Sequence, residues 1–135
     1  MRKIVTVMGI AGGLMLSGCI SYRGPTSQST ASLAKTWHLV SIKNRPVATK
    51  TMTLSLTADG QASGTLGCNS FSGSYALSND VIEFKKIAIT LVGCAGPNQA
   101  AIADAEKLFA VPGKVKLRQG VMEITAATSS FTFRY

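Results

Sequence analysis

Gly64-Thr65-Leu66-Gly67-Cys68-Asn69-Ser70-Phe71-Ser72-Gly73-Ser74-Tyr75 is the stretch that decides the fold. Its glycines and serines weaken a helix interior, whereas a turn between two β-strands accepts them. Gly67 and Asn69 tolerate positive φ angles, so we place the turn there. Phe71, Gly73 and Tyr75 then share one face of the next strand, because side chains alternate along a strand. The stretch therefore predicts two strands joined by a tight turn.

The same β pattern extends along most of the chain. Met52, Leu54 and Leu56 alternate with polar residues, and Asp59-Gly60 marks a tight turn after them. The apolar alternation changes parity at Lys85-Lys86, where we place a bulge or a break. By this pattern we predict seven or eight short strands, at residues 37–43, 51–57, 61–66, 71–77, 81–90, 114–118, 121–124 and 131–135.

One segment has helical periodicity instead. Between Asn98 and Val111 the apolar residues form a single stripe, with Asn98 as the N-cap and Pro112-Gly113 as the stop. The stripe consists of Ala101, Ile102, Ala105, Leu108 and Phe109. We therefore predict a mostly β protein with one helix, an α+β class, built as a small antiparallel β-barrel or curved sheet with the helix covering one side.

The first eighteen residues have the pattern of a secretory signal. A basic start, Met1-Arg2-Lys3, precedes 13 uncharged, mostly apolar residues from Ile4 to Leu16. That run is shorter than the roughly 20 residues of a membrane-spanning helix. We expect a signal peptide at 1–18, a flexible polar tether at 19–32 and a folded domain at 33–135.

Leu16-Ser17-Gly18-Cys19 resembles the lipobox of bacterial lipoproteins. The resemblance implies that the signal is cut before Cys19 and that Cys19 carries fatty acyl chains such as palmitate, a stable anchor when more than one chain is attached. Ile20 rather than an aspartate after the cysteine implies the outer membrane of a Gram-negative bacterium, facing the periplasm. Ordinary secretion with an unmodified Cys19 is the alternative.

If Cys19 is acylated, Cys68 and Cys94 remain as one pair in an oxidising compartment. We predict a structural disulfide between them, worth about 3–4 kcal/mol by the chain-entropy relation. Cys68 could instead act as a nucleophile with His38 as its base, or both cysteines and His38 could bind zinc. No Cys-x-x-Cys or His-x₃-His spacing supports zinc, so we expect no catalytic residue, no metal and no cofactor.

The chain has a net charge of +8, and its mature part keeps twelve cations against six anions. Such a charge favours an anionic envelope component, such as lipid headgroups, or an acidic protein partner; solubility beside a membrane is the alternative reason for it. An exported, membrane-tethered protein excludes nucleic acid as a partner. Lys114, Lys116 and Arg118 alternate along one strand. This cationic strand face and the loops around Asn69 are our candidate binding surfaces.

The acidic residues show no sign of an acid–base pair. Asp59 and Asp80 lie in predicted turns, and Asp104 and Glu106 lie on the flank of the predicted helix. No glycine-rich phosphate loop occurs, since Gly64-x-x-Gly67 lacks the following Lys-Ser/Thr. The residues therefore favour a binding protein over an enzyme.

Three groups of residues resemble the META domain family. They are Trp37-x-Leu39, Gly67-Cys68-Asn69-x-Phe71-x-Gly73-x-Tyr75, and Thr90 followed by Cys94 and a helix. The resemblance runs from about Leu33 to Tyr135 and, with the lipoprotein signal, points to the HslJ-type heat-shock lipoproteins. Relatives often have an acidic residue in the first turns of the helix, where this chain has Gln99-Ala100-Ala101.

The resemblance implies a compact antiparallel β structure without catalytic activity, acting in envelope stress and novobiocin tolerance through binding. A small periplasmic hydrolase inhibitor, of the lysozyme-inhibitor lipoprotein type, is the alternative. Lysozyme is itself cationic, and like charges slow encounter, which argues against that version.

Overall fold

The structure is a computed structural model that describes residues 18–19 and 28–135. The predicted signal peptide, apart from Gly18, and tether residues 20–27 lie outside the described residues. Within the described part of the chain, no helix has both the length and the apolar composition needed to cross a membrane.

The described residues form nine strands and two short helices. In chain order these are α1 (Thr30–Leu33), β1 (Thr36–Ile42), β2 (Arg45–Pro46), β3 (Met52–Leu56), β4 (Gln61–Leu66), β5 (Asn69–Ser78), β6 (Val81–Ile89), α2 (Gln99–Glu106), β7 (Gly113–Arg118), β8 (Val121–Ala126) and β9 (Ser129–Arg134). A 3₁₀ turn, Lys107–Phe109, continues α2.

Eight of the strands close into an antiparallel barrel. From β3 to β9 each strand pairs with the next, and β1 pairs with both β3 and β9. The two-residue β2 adds to β1 outside this ring. The predicted mostly β, barrel-like fold with one covering helix is therefore confirmed. The α1 turn was not predicted, and it ends at Leu33, the residue at which we placed the start of the domain. That boundary stays a prediction.

The barrel interior is filled by apolar side chains from alternate strand positions. Trp37 is fully buried, and its indole N–H donates to the Leu33 carbonyl at 2.9 Å, so α1 closes one end of the core. Leu39 is buried with Trp37, while His38 between them is exposed, as alternation predicts. The other large apolar side chains that are fully or almost fully buried include Leu33, Met52, Leu54, Ile82, Leu108, Val115, Met122, Ile124, Phe131 and Phe133.

The bulge predicted at Lys85-Lys86 is confirmed. Ser72 pairs with Ala88, but Ser74 pairs with Lys85, so β6 contains one residue more than β5 at this place. Lys86 has a φ of 54°. Gly73 makes the bulge possible, because a Cβ at that position would lie 2.9 Å from the carbonyl oxygens of both Lys85 and Lys86.

The helix covers the weakest seam of the barrel. β6 and β7 pair through two residue pairs only, Val81 with Lys114 and Ile82 with Gly113. Beyond them the Phe109 ring packs against Phe71 and Phe84, with ring centroids 4.8 Å and 5.2 Å apart. Asn98 occupies the predicted N-cap position of α2, but its side chain makes no capping hydrogen bond.

The two ends of the barrel differ. β5 contains 10 residues and spans about 30 Å. At its start lies Cys68, and we call this the disulfide end. After its last residue lies Asp80, whose carboxylate accepts a hydrogen bond from the backbone N–H of Gln28. At this Asp80 end the carbonyl of Asp80 also accepts from Val115 N–H at 2.7 Å, so the described chain enters the domain beside β7.

Candidate functional site

A disulfide joins Cys68 to Cys94, with Cα atoms 5.6 Å apart, which confirms the predicted pair. It ties the β4–β5 turn to the segment between β6 and α2. Gly67 in this turn has a φ of 62°, and a Cβ there would lie 2.5 Å from the Ile102 side chain, so the turn packs directly on α2.

Because the two sulfurs are bonded to each other, neither cysteine offers a thiolate to a substrate or a metal. His38 lies exposed on β1, opposite Thr53 and Arg134, rather than beside the disulfide. Among residues 18–19 and 28–135, no group of three or more His, Cys, Asp or Glu side chains could hold a metal ion. The thiol nucleophile and the zinc site considered from sequence therefore have no geometric support.

Asn69 fastens the segment that follows β6. Its Oδ1 accepts from the backbone N–H of Val92 at 2.7 Å and from the Thr90 hydroxyl at 3.0 Å. Its Nδ2 donates to the Val92 carbonyl at 3.1 Å. Thr90 is fixed in turn, since its N–H donates to the Ser70 carbonyl and its hydroxyl accepts from Ser70 N–H, both at 3.0 Å. The side chain proposed as a binding residue thus pairs with the protein itself.

This fastening exposes two apolar side chains at the disulfide end. Leu91 is 97% exposed and Val92 is 60% exposed, although both lie in the segment held by Asn69 and Cys94. We call residues 90–94 the Leu91 loop. The backbone of this exposed apolar pair is held on both sides, by Asn69 and by the disulfide, which distinguishes the loop from a mobile linker. A groove of about 370 Å³ borders it, lined in part by Lys50, Cys94 and Pro97.

Sequence reasoning did not single out the Leu91 loop as a site. The available signal was Leu91-Val92-Gly93 directly after the end of a strand and before Cys94. An apolar pair at that position continues the apolar pattern of the preceding strand, so the sequence gives no reason to expect it to be exposed. Only the structure shows that both side chains are exposed to solvent.

The side-chain contacts of Asn69 can be removed by substitution. We expect Asn69→Ala to lower the free energy of unfolding by about 1–3 kcal/mol, because the Val92 amide and carbonyl lose their partners. Urea unfolding and the exchange rate of the Val92 amide measure the effect. Asn98→Ala is the matched control and should change stability by less than about 0.5 kcal/mol. Equal losses in the two variants would contradict the role of Asn69.

The three cationic residues of the candidate strand face lie at the Asp80 end of the barrel. Lys114, Lys116 and Arg118 are exposed on the outer face of β7, with buried Val115 between the first two. Lys114 is opposite Val81, the residue after Asp80. The structure therefore does not bring these three cations together with Asn69, and the two candidate surfaces lie at opposite ends of the barrel.

In the described part of the chain two groups, Tyr75 and Asp104, have shifted pKa values, and neither marks an acid–base site. Burial raises the pKa of Tyr75, with a smaller contribution from the charge of Asp59, and its hydroxyl donates to the Thr57 carbonyl at 2.6 Å. The ammonium of Lys107, 2.6 Å from Asp104, lowers the pKa of that carboxyl. The first contact holds a turn and the second lies on the helix surface, so both are structural.

Comparison with known proteins gives a family and a fold. The family model of the META domain matches residues 30–134. An NMR structure of a protein from Burkholderia xenovorans is similar, with 21% identity and a TM-score of 0.62 over 99% of this chain and 97% of that chain. Another NMR structure has 24% identity and a TM-score of 0.63 over 79% of this chain and 94% of its own.

A third similar structure is the crystal structure of a DUF4847 family protein from Bacteroides vulgatus. It has 13% identity and a TM-score of 0.55, over 76% of this chain and 92% of that chain. At these identities the likeness shows a shared fold. No curated protein matches the chain.

Proposed function

We propose that this chain, which belongs to the META domain family, is a lipid-anchored binding protein of the bacterial envelope. The META domain family is not a known enzyme family. In this proposal acylated Cys19 holds the domain at the outer membrane on the periplasmic side. The domain acts without catalysis, in the manner of the HslJ-type heat-shock lipoproteins, in envelope stress and novobiocin tolerance.

The Leu91 loop is the observation that carries the proposal. The barrel interior is packed with side chains, so a partner must bind to the outer surface. Leu91 is 97% exposed, and its neighbours are held by a disulfide and by the hydrogen bonds of Asn69 to Thr90 and Val92. A loop that is already ordered loses little conformational entropy on binding, so its apolar contacts contribute more fully to affinity. The partner surface that fits is an apolar pocket on another protein.

A complementation experiment tests this function. We expect loss of the gene to lower novobiocin tolerance and the wild-type gene to restore it. The double variant Leu91→Ser/Val92→Ser should fail to restore it, because its loop no longer offers apolar surface. Growth across a novobiocin series is the measurement, with protein amount in the membrane fraction determined in parallel.

The matched control is Val111→Ser, since Val111 is an exposed apolar residue outside the loop, 43% exposed. It should restore tolerance like the wild type. Full restoration by the loop variant would refute the role assigned to the loop. An unchanged deletion strain under novobiocin and several other envelope stresses would refute the proposed physiological role.

The same loop favours a second candidate function, inhibition of a periplasmic or host hydrolase. A fixed loop with an exposed leucine is suited to insertion into an enzyme cleft without rearrangement. Rates of lysozyme measured with and without micromolar protein test the lysozyme version. Absence of inhibition ends it, and inhibition that disappears in Leu91→Asp would favour it over the first candidate.

A further inference from the structure

The outer surface at the Asp80 end is strongly basic. Arg118 lies opposite Val121 on β8, and Val121 lies opposite Arg134 on β9, so both guanidiniums share one outer face with Lys114 and Lys116. Side chains directly opposite in neighbouring strands lie close together. The sequence analysis did not place Arg134 on this face. Arg134 and Arg118 lie on different strands and become close only because β8 pairs with both β7 and β9.

A fifth cation and an aromatic ring lie at the same end. The Lys35 ammonium is 3.8 Å from the centroid of the Tyr135 ring, and Tyr135 is 63% exposed. The ring packs edge-on against buried Trp37, with centroids 5.4 Å apart, so it is held in place although exposed. Exposed tyrosines beside cations are typical of the membrane–water interface, where a ring has an apolar body and a polar tip.

Three acidic residues lie on or beside this face, and one of them, Glu83 on β6, forms an ion pair with Lys85 at 3.8 Å. Glu123 lies opposite Lys116 in the sheet. Asp80 lies in the adjoining turn, where its carboxylate accepts from the backbone of Gln28. We call the surface formed by Lys35, Lys114, Lys116, Arg118, Arg134 and Tyr135 the basic face. Its positive charge exceeds that of the opposing acids, so it attracts anionic surfaces.

The start of the domain lies beside the basic face. Gln28 is hydrogen-bonded to Asp80, and Asp80 is followed by Val81, the partner of Lys114. Only the short stretch from Cys19 to Gln28 lies between the proposed acylation site and this contact, and it can span at most about 30 Å. A membrane that holds Cys19 therefore keeps the Asp80 end of the barrel near its surface.

We propose that the basic face docks on the anionic phospholipid headgroups of the leaflet that holds Cys19, which turns the Leu91 loop away from the membrane. The orientation rests on the proposed lipid anchor; the attraction to anionic headgroups does not. Acyl chains and a basic surface together form a two-part membrane signal, in which the anchor raises the local concentration of headgroups at the face.

Binding to vesicles tests the face without the anchor. The mature chain with Cys19→Ser is mixed with vesicles of phosphatidylcholine alone or with about 30% phosphatidylglycerol, an anionic lipid. We expect binding to the anionic vesicles only, and we expect it to decrease steeply as salt shortens the screening length. The triple variant Lys114→Glu/Lys116→Glu/Arg118→Glu should bind on the order of 100-fold more weakly.

The matched control reverses three cations at the disulfide end, Lys43→Glu/Arg45→Glu/Lys50→Glu. It has the same net charge as the first triple variant and should keep binding close to that of the unsubstituted chain. Equal weakening by both triple variants would show that net charge alone matters and would overturn the basic face. Absence of binding to anionic vesicles would overturn it too. If inorganic phosphate at constant ionic strength displaced the protein from anionic vesicles, the protein would have a discrete anion site. That result would also overturn the proposed docking on a membrane surface.

The acylated protein separates this inference from the proposed function. Flotation with vesicles reports the anchor, and the rate of lysine acetylation reports the orientation. We expect Lys35, Lys114 and Lys116 to be acetylated several-fold more slowly on anionic than on neutral vesicles, whereas Lys43 and Lys50 should not change. Failure to float would refute the anchor alone, while flotation with uniform acetylation would refute the orientation alone.

Discussion

Trp37→Ala is expected to lower the free energy of unfolding by about 3–5 kcal/mol. The indole is completely buried, and its removal leaves a cavity that the surrounding strands cannot fill. The Leu33 carbonyl also loses the 2.9 Å hydrogen bond from the indole N–H, so α1 is released from the barrel end. Against a typical total of about 5–15 kcal/mol, this is a large share of the stability.

Urea unfolding followed by circular dichroism measures the loss. Trp37→Phe should cost less than Trp37→Ala, because the ring volume is largely kept and only the indole N–H contact is removed. His38→Ala is the surface control on the same strand and should change stability by less than about 0.5 kcal/mol. A Trp37→Ala protein as stable as His38→Ala would contradict the packing described for the core.

The second large effect is expected from the disulfide. Cys68→Ser/Cys94→Ser should lower the free energy of unfolding by about 3–4 kcal/mol, because the unfolded chain regains the freedom of the loop that the bond closes. The bond spans a sequence separation of 26 residues. Reduction of the unsubstituted protein with dithiothreitol should lower the free energy of unfolding by a similar amount. This second measurement removes the bond without changing any residue.

Cys19→Ser in the non-acylated chain is the control for loss of a cysteine as such. Cys19 is exposed and not bonded to another cysteine, so this variant should keep the stability of its parent chain. An unchanged unfolding midpoint after removal of Cys68 and Cys94 would contradict a structural role of the bond. The hydrogen bonds of Asn69 remain in the double cysteine variant. The Leu91 loop should therefore stay more ordered in it than in a variant that lacks both the disulfide and the Asn69 side chain.

Much of the fold is local and could be predicted from the sequence. The alternation around Leu54 and the apolar stripe around Ala105 each depend on residues within one element, and the structure keeps both. The parity change at Lys85-Lys86 predicted the bulge for the same reason. The pairing of Cys68 with Cys94 was predicted from the count of cysteines and from the compartment expected for the chain, and the structure contains this disulfide.

Contacts between distant parts of the chain could not be predicted in this way. The pairing of β1 with β9 depends on the tilt and register of every strand between them. Arg134 joins the basic face only through β8. Asn69 fastens Val92 through its amide, although an asparagine in a turn usually bonds to its own neighbourhood. β2 and α1 are too short to produce a periodic pattern.

Closure of the barrel by β1 and β9 has a consequence for the order of folding. Leu39 pairs with Phe133, so the first full strand finds its second partner only in the last one. Bringing strands so distant in sequence together requires closure of a long loop, which costs conformational entropy. Folding is therefore slow compared with that of helical proteins of the same size. The ring therefore closes only when β9 pairs with β1, and until then this edge of β1 offers unpaired backbone groups to other chains.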